Sequence, residues 1–110
     1  MENQVQLIGR LGINPDSKQI NQSVKTTFTL ATNTVYRDSE GNKKTMTDWH
    51  NIIAWGHLAQ TMDQYLRKGD KVGISGRLVT RSYEDNNGVK KYFTEVIAKD
   101  MLMLGVSKTD

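Results

Sequence analysis

Between Thr47 and Leu78 the chain reads TDWHNIIAWGHLAQTMDQYLRKGDKVGISGRL, passing from strand pattern to helix pattern and back to strand pattern. Only here do apolar residues recur at helical spacing. Leu58, Met62, Tyr65 and Leu66 fall on one stripe, and Gly69 supplies the C-terminal stop. A chain of 110 residues with one short helix must build most of its core from strands, and it is of a length for one domain.

The flanking segments supply those strands. Val5, Leu7, Gly9 and Leu11 alternate with Gln6, Ile8 and Arg10, the pattern of a half-buried first strand, and GINPDSKQINQ then breaks it. From Val24 to Arg37 β-branched residues are dense, and Val24, Thr26, Phe28 and Leu30 share a face. DSEGNKKTM is polar and Gly-centred, which predicts a flexible hairpin tip before a third strand from Asp48 to Gly56. A fourth strand runs from Lys71 to Tyr83, with Gly73 and Gly76 expected to mark a bulge or the bend of a small barrel. EDNNG is a hairpin signal, and Val89 to Leu104 forms the fifth strand. Three strands, a helix and two strands is the order of the OB-fold, an all-β, five-stranded, partly open barrel that binds oligonucleotides or oligosaccharides. One OB-fold domain is expected over residues 1–105, with a short C-terminal end at 106–110.

Composition narrows the chemistry. Fifteen Lys and Arg against 12 Asp and Glu give a net charge of +3, compatible with a polyanionic partner. The absence of cysteine removes disulfide and thiolate chemistry and fits a reducing cytosol. There is no apolar run of membrane-spanning length, and MENQVQL lacks the regions of a signal peptide, so a cytoplasmic protein without membrane contact is expected. His50 and His57 lie seven residues apart with no cysteine to complete a zinc set, so no metal or other cofactor is expected. Asp48, His50 and His57 form no recognised acid, base or metal motif, which argues against an enzyme.

The third strand carries the functional signal. Trp49 and Trp55 are six residues apart, so period-two geometry sets both indoles on one face, about 20 Å apart. Two core tryptophans are the alternative. Asn51 shares their face while Ile52 and Ala54 take the other, which favours at least one exposed ring and a stacking platform. His50 has the opposite parity and reads as a hydrogen-bonded structural residue.

Taken together, VQLIGRLGINPD, FTLATN, YRD, TDWHNIIAWGHLAQ, YLRKGDKVGISGRLVTR and KKYFTEV resemble the bacterial single-stranded DNA-binding proteins, in that family's order and near its spacing, from Val5 to Leu104. The resemblance implies sequence-tolerant binding and protection of single-stranded DNA in replication, recombination and repair. It also implies that bases stack on Tyr36, Trp49, Trp55 and Tyr83. Tryptophan is common in the family at the positions of Tyr36 and Tyr83, and phenylalanine at that of Trp55, so the departures keep a π-face at each. Stacking is sequence-tolerant because every base has such a face, and it contributes about 1–3 kcal/mol per base.

Phosphate contacts are the other half of such binding. Basic residues near the aromatic positions are the candidates: Arg37, Lys43, Lys44, Lys68, Arg77 and Arg81, with Arg77, Arg81 and Tyr83 sharing a face. Lys18, Lys99 and Lys108 are left as solvated charge. Phe28, Tyr65 and Phe93 are assigned to the core, and Tyr92 stays open.

The resemblance further places His50 at a subunit contact and implies a homotetramer. Members usually continue into a flexible linker with an acidic, apolar tip that recruits replication and repair proteins. This chain stops at GVSKTD, so recruitment through such a tail is not expected. Two other readings are a dimeric primosomal or recombination accessory protein that acts mainly by contacting other proteins, and an OB-fold module for carbohydrate or structural use; light scattering would separate the first, and weak salt dependence would mark the second.

Overall fold

The computed structural model describes residues 2–106, so the expected C-terminal end at 106–110, apart from Val106, and with it Lys108, lies outside the described residues. The elements are β1 (Val5–Leu11), β2 (Asp16–Ile20), β3 (Ser23–Arg37), β4 (Lys43–Trp55), α1 (Gly56–Tyr65), β5 (Lys71–Glu84) and β6 (Lys90–Gly105).

The strands form one sheet in the order β1-β5-β6-β4-β3-β2, and a further pairing of β1 with β3 brings its ends together. That seam is short, with Arg10 opposite Ala31 and Leu11 opposite Leu30. The β4–β6 seam is parallel and also short, Asn51, Ile52 and Ile53 facing Glu95, Val96 and Ile97. The architecture is the OB-fold.

The segment expected only to break the first strand holds a strand of its own. Leu11 faces Leu30 and Asp16 faces Thr27, so residues 12–15 stand opposite only 28 and 29. The Gly12 amide still donates to the Thr29 carbonyl at 2.9 Å. β1 and β2 therefore run in succession along β3, interrupted by the Gly12–Pro15 excursion, and the sheet has six strands where five are expected. Turn formers at Gly12, Asn14 and Pro15 hid the polar continuation, which pairs along β3 from Asp16 to Ile20.

Alternate residues of the long strands point inward. Phe28, Leu30, Ile52, Ala54, Val72, Ile74, Val96 and Ala98 are buried together with Leu11, and α1 closes the cluster with Ala59 and Met62, followed by Leu66. Thr26 is the buried polar residue that joins the layers: its hydroxyl donates to the Ala59 carbonyl at 2.8 Å. Having used its one proton there, it accepts from Ser17 Oγ at 2.5 Å, so β2, β3 and α1 meet at one side chain. Tyr65 lies on α1 but is 55% exposed, contrary to its assignment to the core. One helix turn after Met62 in the apolar stripe, it reaches the rim of the packed surface.

Gly76 meets the bulge expectation. The β5–β6 register shifts between Ser75 and Gly76, and a Cβ at Gly76 would lie 2.1 Å from the Ile97 carbonyl oxygen. Gly73 has no such close neighbour.

The β3–β4 and β5–β6 hairpin turns are built alike. In each, the aspartate Oδ1 accepts two backbone N–H groups, those of Glu40 and Asn42 for Asp38 and those of Asn87 and Val89 for Asp85, all at 2.9 Å. Gly41 and Gly88 then take positive φ, 83° and 77°. Asp-x-x-Gly thus makes a tied turn at 38–42, and Lys43 and Lys44 belong to β4, paired with Arg37 and Tyr36, instead of to a flexible tip. No helix among the described residues is long and apolar enough to cross a membrane.

Candidate nucleic-acid interface

The face of β4 turned away from the core carries Trp49, Asn51, Ile53 and Trp55. Trp49 is 61% exposed and Trp55 40%, so both indoles are open, as the presence of Asn51 between them favoured. Ile53 is buried despite its outward parity and floors a groove of about 400 Å³ whose walls include Ile13, Thr27, Thr29, Asn51, Phe93 and Glu95.

Each indole is set by a local device. A Cβ on Gly12 would lie 2.3 Å from Cζ3 of Trp49 and 2.6 Å from the Thr29 hydroxyl, so the absent side chain is what lets the ring lie against the excursion between β1 and β2. Trp55 faces Lys25 across β3–β4, and the Lys25 ammonium sits 5.6 Å from the centre of its ring. That cation–π contact leaves a positive charge beside the platform, and Lys25 was not among the sequence candidates.

Because β6 lies between β4 and β5, their outward residues form one surface. Val96 and Ala98 are buried, so Phe93, Glu95 and Ile97 take the outer side of β6; the β5 register sets Arg77, Val79 and Arg81 opposite Ile97, Glu95 and Phe93. Tyr83 reaches diagonally to Phe93, with ring centroids 5.8 Å apart in an edge-to-face arrangement. Phe93 is 38% exposed and belongs to this aromatic surface, which corrects its assignment to the core. Apolar residues of both parities in YFTEVIA concealed that; the alternation of Phe93 with Val96 and Ala98 was the available signal. Tyr92, left open above, has the other parity and is exposed beneath the Lys90 ammonium.

The expected basic residues divide. Arg77 is exposed on the outer face, whereas Arg81 is engaged there, its Nε 2.6 Å from Glu95 Oε1. On the β3–β4 arm, Arg37 and Lys43 share the parity of Trp49, while Tyr36 and Lys44 share that of His50. The arm's outer part is exposed on both sides, so all four residues are accessible, but they do not form one cluster. The Arg37 guanidinium also donates to the Gly41 carbonyl at 2.9 Å. Lys68 is exposed, and its backbone amide donates to Asn14 Oδ1, which ties it to the loop that carries Gly12. His50 is half-buried with Nε2 2.8 Å from Thr32 Oγ1. No group of three His, Cys, Asp or Glu side chains that could hold a metal occurs among the described residues.

Exposed rings with cations beside them on one face of an OB-fold are the features that single-strand nucleic-acid-binding proteins use. The chain belongs to the single-strand binding protein family, whose model matches residues 2–104. It is 52% identical over 106 residues to single-stranded DNA-binding protein 1 of Chlorobaculum tepidum, a match covering 94% of this chain and 65% of that one. With single-stranded DNA-binding protein 1 of Xylella fastidiosa it shares 39% identity over 94% of this chain and 77% of the relative. Both relatives are thus longer than the stretch matched. A solved structure of Plasmodium falciparum SSB in complex with ssDNA superposes with a TM-score of 0.88 at 38% identity, covering 94% of this chain and 96% of that one.

Proposed function

We propose that this chain binds and protects single-stranded DNA in replication, recombination and repair, by stacking bases on its outer sheet face and holding phosphates with the surrounding cations. One observation carries the reading: β4, β6 and β5 set Trp49, Trp55, Phe93 and Tyr83 on one surface, with Lys25 and Arg77 among them. Rings of this kind accept any base, and a duplex, whose bases are already stacked inside, offers them little. Arg37 and Lys43 extend the surface along the β3–β4 arm, Tyr36 and Lys44 are proposed to hold the strand from that arm's other face, and Lys68 lies near the loop that carries Gly12. The work is non-catalytic. A cytoplasmic protein associated with the nucleoid follows from it.

Association into a homotetramer is part of the proposal. Residues 5–9 of β1 have β5 on one edge and no strand on the other among the described residues, an open edge of the kind a second chain can cover. Beside it Ile8, Leu102 and Leu104 are exposed around Gly73. His50 is proposed to contribute a further contact.

The test is a titration of intrinsic tryptophan fluorescence with unlabelled oligo-dT and with duplex of equal length at two salt concentrations. Strong quenching by oligo-dT and little by duplex, with affinity falling as salt rises, is expected. Unchanged emission while a labelled oligonucleotide binds would contradict the stacking assignment.

A further inference from the structure

The groove between the two indoles carries a charge of the wrong sign for phosphate. Glu95 is directly opposite Asn51 in the parallel β4–β6 seam, and its side chain is only 12% exposed. Its one charged partner among the described residues is Arg81, whose Nε lies 2.6 Å from the buried Oε1. A phosphate is repelled from such a position. A carboxylate oxygen is an acceptor only, so the ligand group that suits it is a neutral N–H donor.

Nucleobases present that donor at their edges. Cytosine, adenine and guanine carry exocyclic amines, whereas thymine and uracil carry carbonyl oxygens in their place and keep a single ring N–H. Phe93 precedes Glu95 by two residues on the same strand face, roughly 7 Å away, so a base stacked on that ring has its edge within reach of the carboxylate. Asn51, exposed across the seam, can donate to or accept from the same edge. Arg81, its Nε 2.6 Å from Oε1, holds the carboxylate in place.

We infer that Glu95, paired with Arg81 and set beside Phe93 and Asn51, reads the edge of one base in the groove and favours bases with an exocyclic amine at that position. This rests on the proposed binding of single-stranded DNA and adds to it a local base preference within a surface that otherwise tolerates any sequence. It also turns the strand: with its base edge held at Glu95, the strand faces its bases inward at this point and the backbone runs along the rim, toward Arg77 and Lys25.

Oligo-dC and oligo-dU of one short length isolate the edge, since their rings have the same size and differ at the amine or carbonyl of C4 and the adjoining ring nitrogen. Affinities of the intact protein, Glu95→Gln and Glu95→Asp are measured for both at neutral to mildly alkaline pH, with far-ultraviolet circular dichroism confirming that each variant is folded. The dC-to-dU affinity ratio is expected to be higher for the intact protein than for Glu95→Gln by about tenfold. Glu95→Asp, which keeps the acceptor on a shorter arm, should hold a ratio between the two. Equal ratios in all three proteins, with single strands still bound far better than duplex, would overturn the role of Glu95 and leave the function standing. So would a Glu95→Gln variant that binds both oligonucleotides more tightly by the same factor, which would make Glu95 a mere electrostatic brake. Failure of all three proteins to prefer single strands over duplex would instead remove the functional reading itself.

Discussion

Gly12 decides where the Trp49 indole lies. Any side chain there would occupy the space of the ring edge, 2.3 Å from its Cζ3, yet the ring is largely in solvent and can swing aside. Gly12→Ala is therefore expected to change folding stability by under about 1 kcal/mol while weakening oligo-dT binding and reducing the quenching on saturation. Urea denaturation and fluorescence titration of the same variant check both halves. A variant that lost its stability but kept its quenching would mean that Gly12 serves the backbone and not the ring. Trp55 is held differently, by the Lys25 ammonium over its face.

At the level of elements, parity explains most of what the sequence made legible and adjacency most of what it did not. Alternation of Trp49, Asn51 and Trp55 against Ile52 and Ala54 is a property of one strand and can be read within it. That β6 runs parallel to β4 is a property of the closed sheet, and only this brings Phe93 and Glu95 to Asn51. The place of Lys25 is illegible in the sequence for the same reason: its partner Trp55 is thirty residues away and becomes a neighbour through the β3–β4 register. The continuation of the first strand as β2 was obscured by turn residues that create an excursion without ending the ladder. Gly41 and its polar neighbours, common in mobile loops, suggest a flexible tip to the β3–β4 arm, whereas the Asp38 carboxylate ties the turn by accepting two amides. With φ at 83°, Gly41→Ala should cost on the order of 1 kcal/mol, and Gly41→Asn less, since asparagine tolerates the left-handed region. Denaturant midpoints of the two variants check this. Equal stability of Gly41→Ala and the unaltered protein would show the turn to be as free as its composition suggests.

On the scale of the whole molecule, a sheet closed by seams of two and three residue pairs leaves apolar and unpaired surface that a second copy can cover. His50 contributes to the proposed assembly through a ring already oriented by Thr32. His50→Tyr removes that hydrogen-bond geometry and adds bulk, and it is expected to shift the oligomer toward smaller species on dilution without removing a stacking ring. Sedimentation across a dilution series measures it; an unchanged assembly with a selective loss of DNA affinity would put His50 in the binding surface.

In the proposed binding mode, rings and cations make separable contributions to holding a single strand. The most direct measurement is the dependence of affinity on salt for Trp49→Ala, Trp55→Ala and the double variant Lys43→Ala/Lys44→Ala, on oligo-dT and on mixed-sequence oligonucleotides. Each tryptophan variant is expected to lose about 1–3 kcal/mol with its salt slope nearly intact, because stacking releases no counterions. The double lysine variant should flatten the slope of log K against log salt by up to about 0.7 for each phosphate no longer neutralised, with similar weakening on both oligonucleotides. A tryptophan variant that altered the slope as much as the lysine variant, or a lysine variant that discriminated strongly between the two oligonucleotides, would contradict the division of this surface into a stacking platform and an electrostatic track.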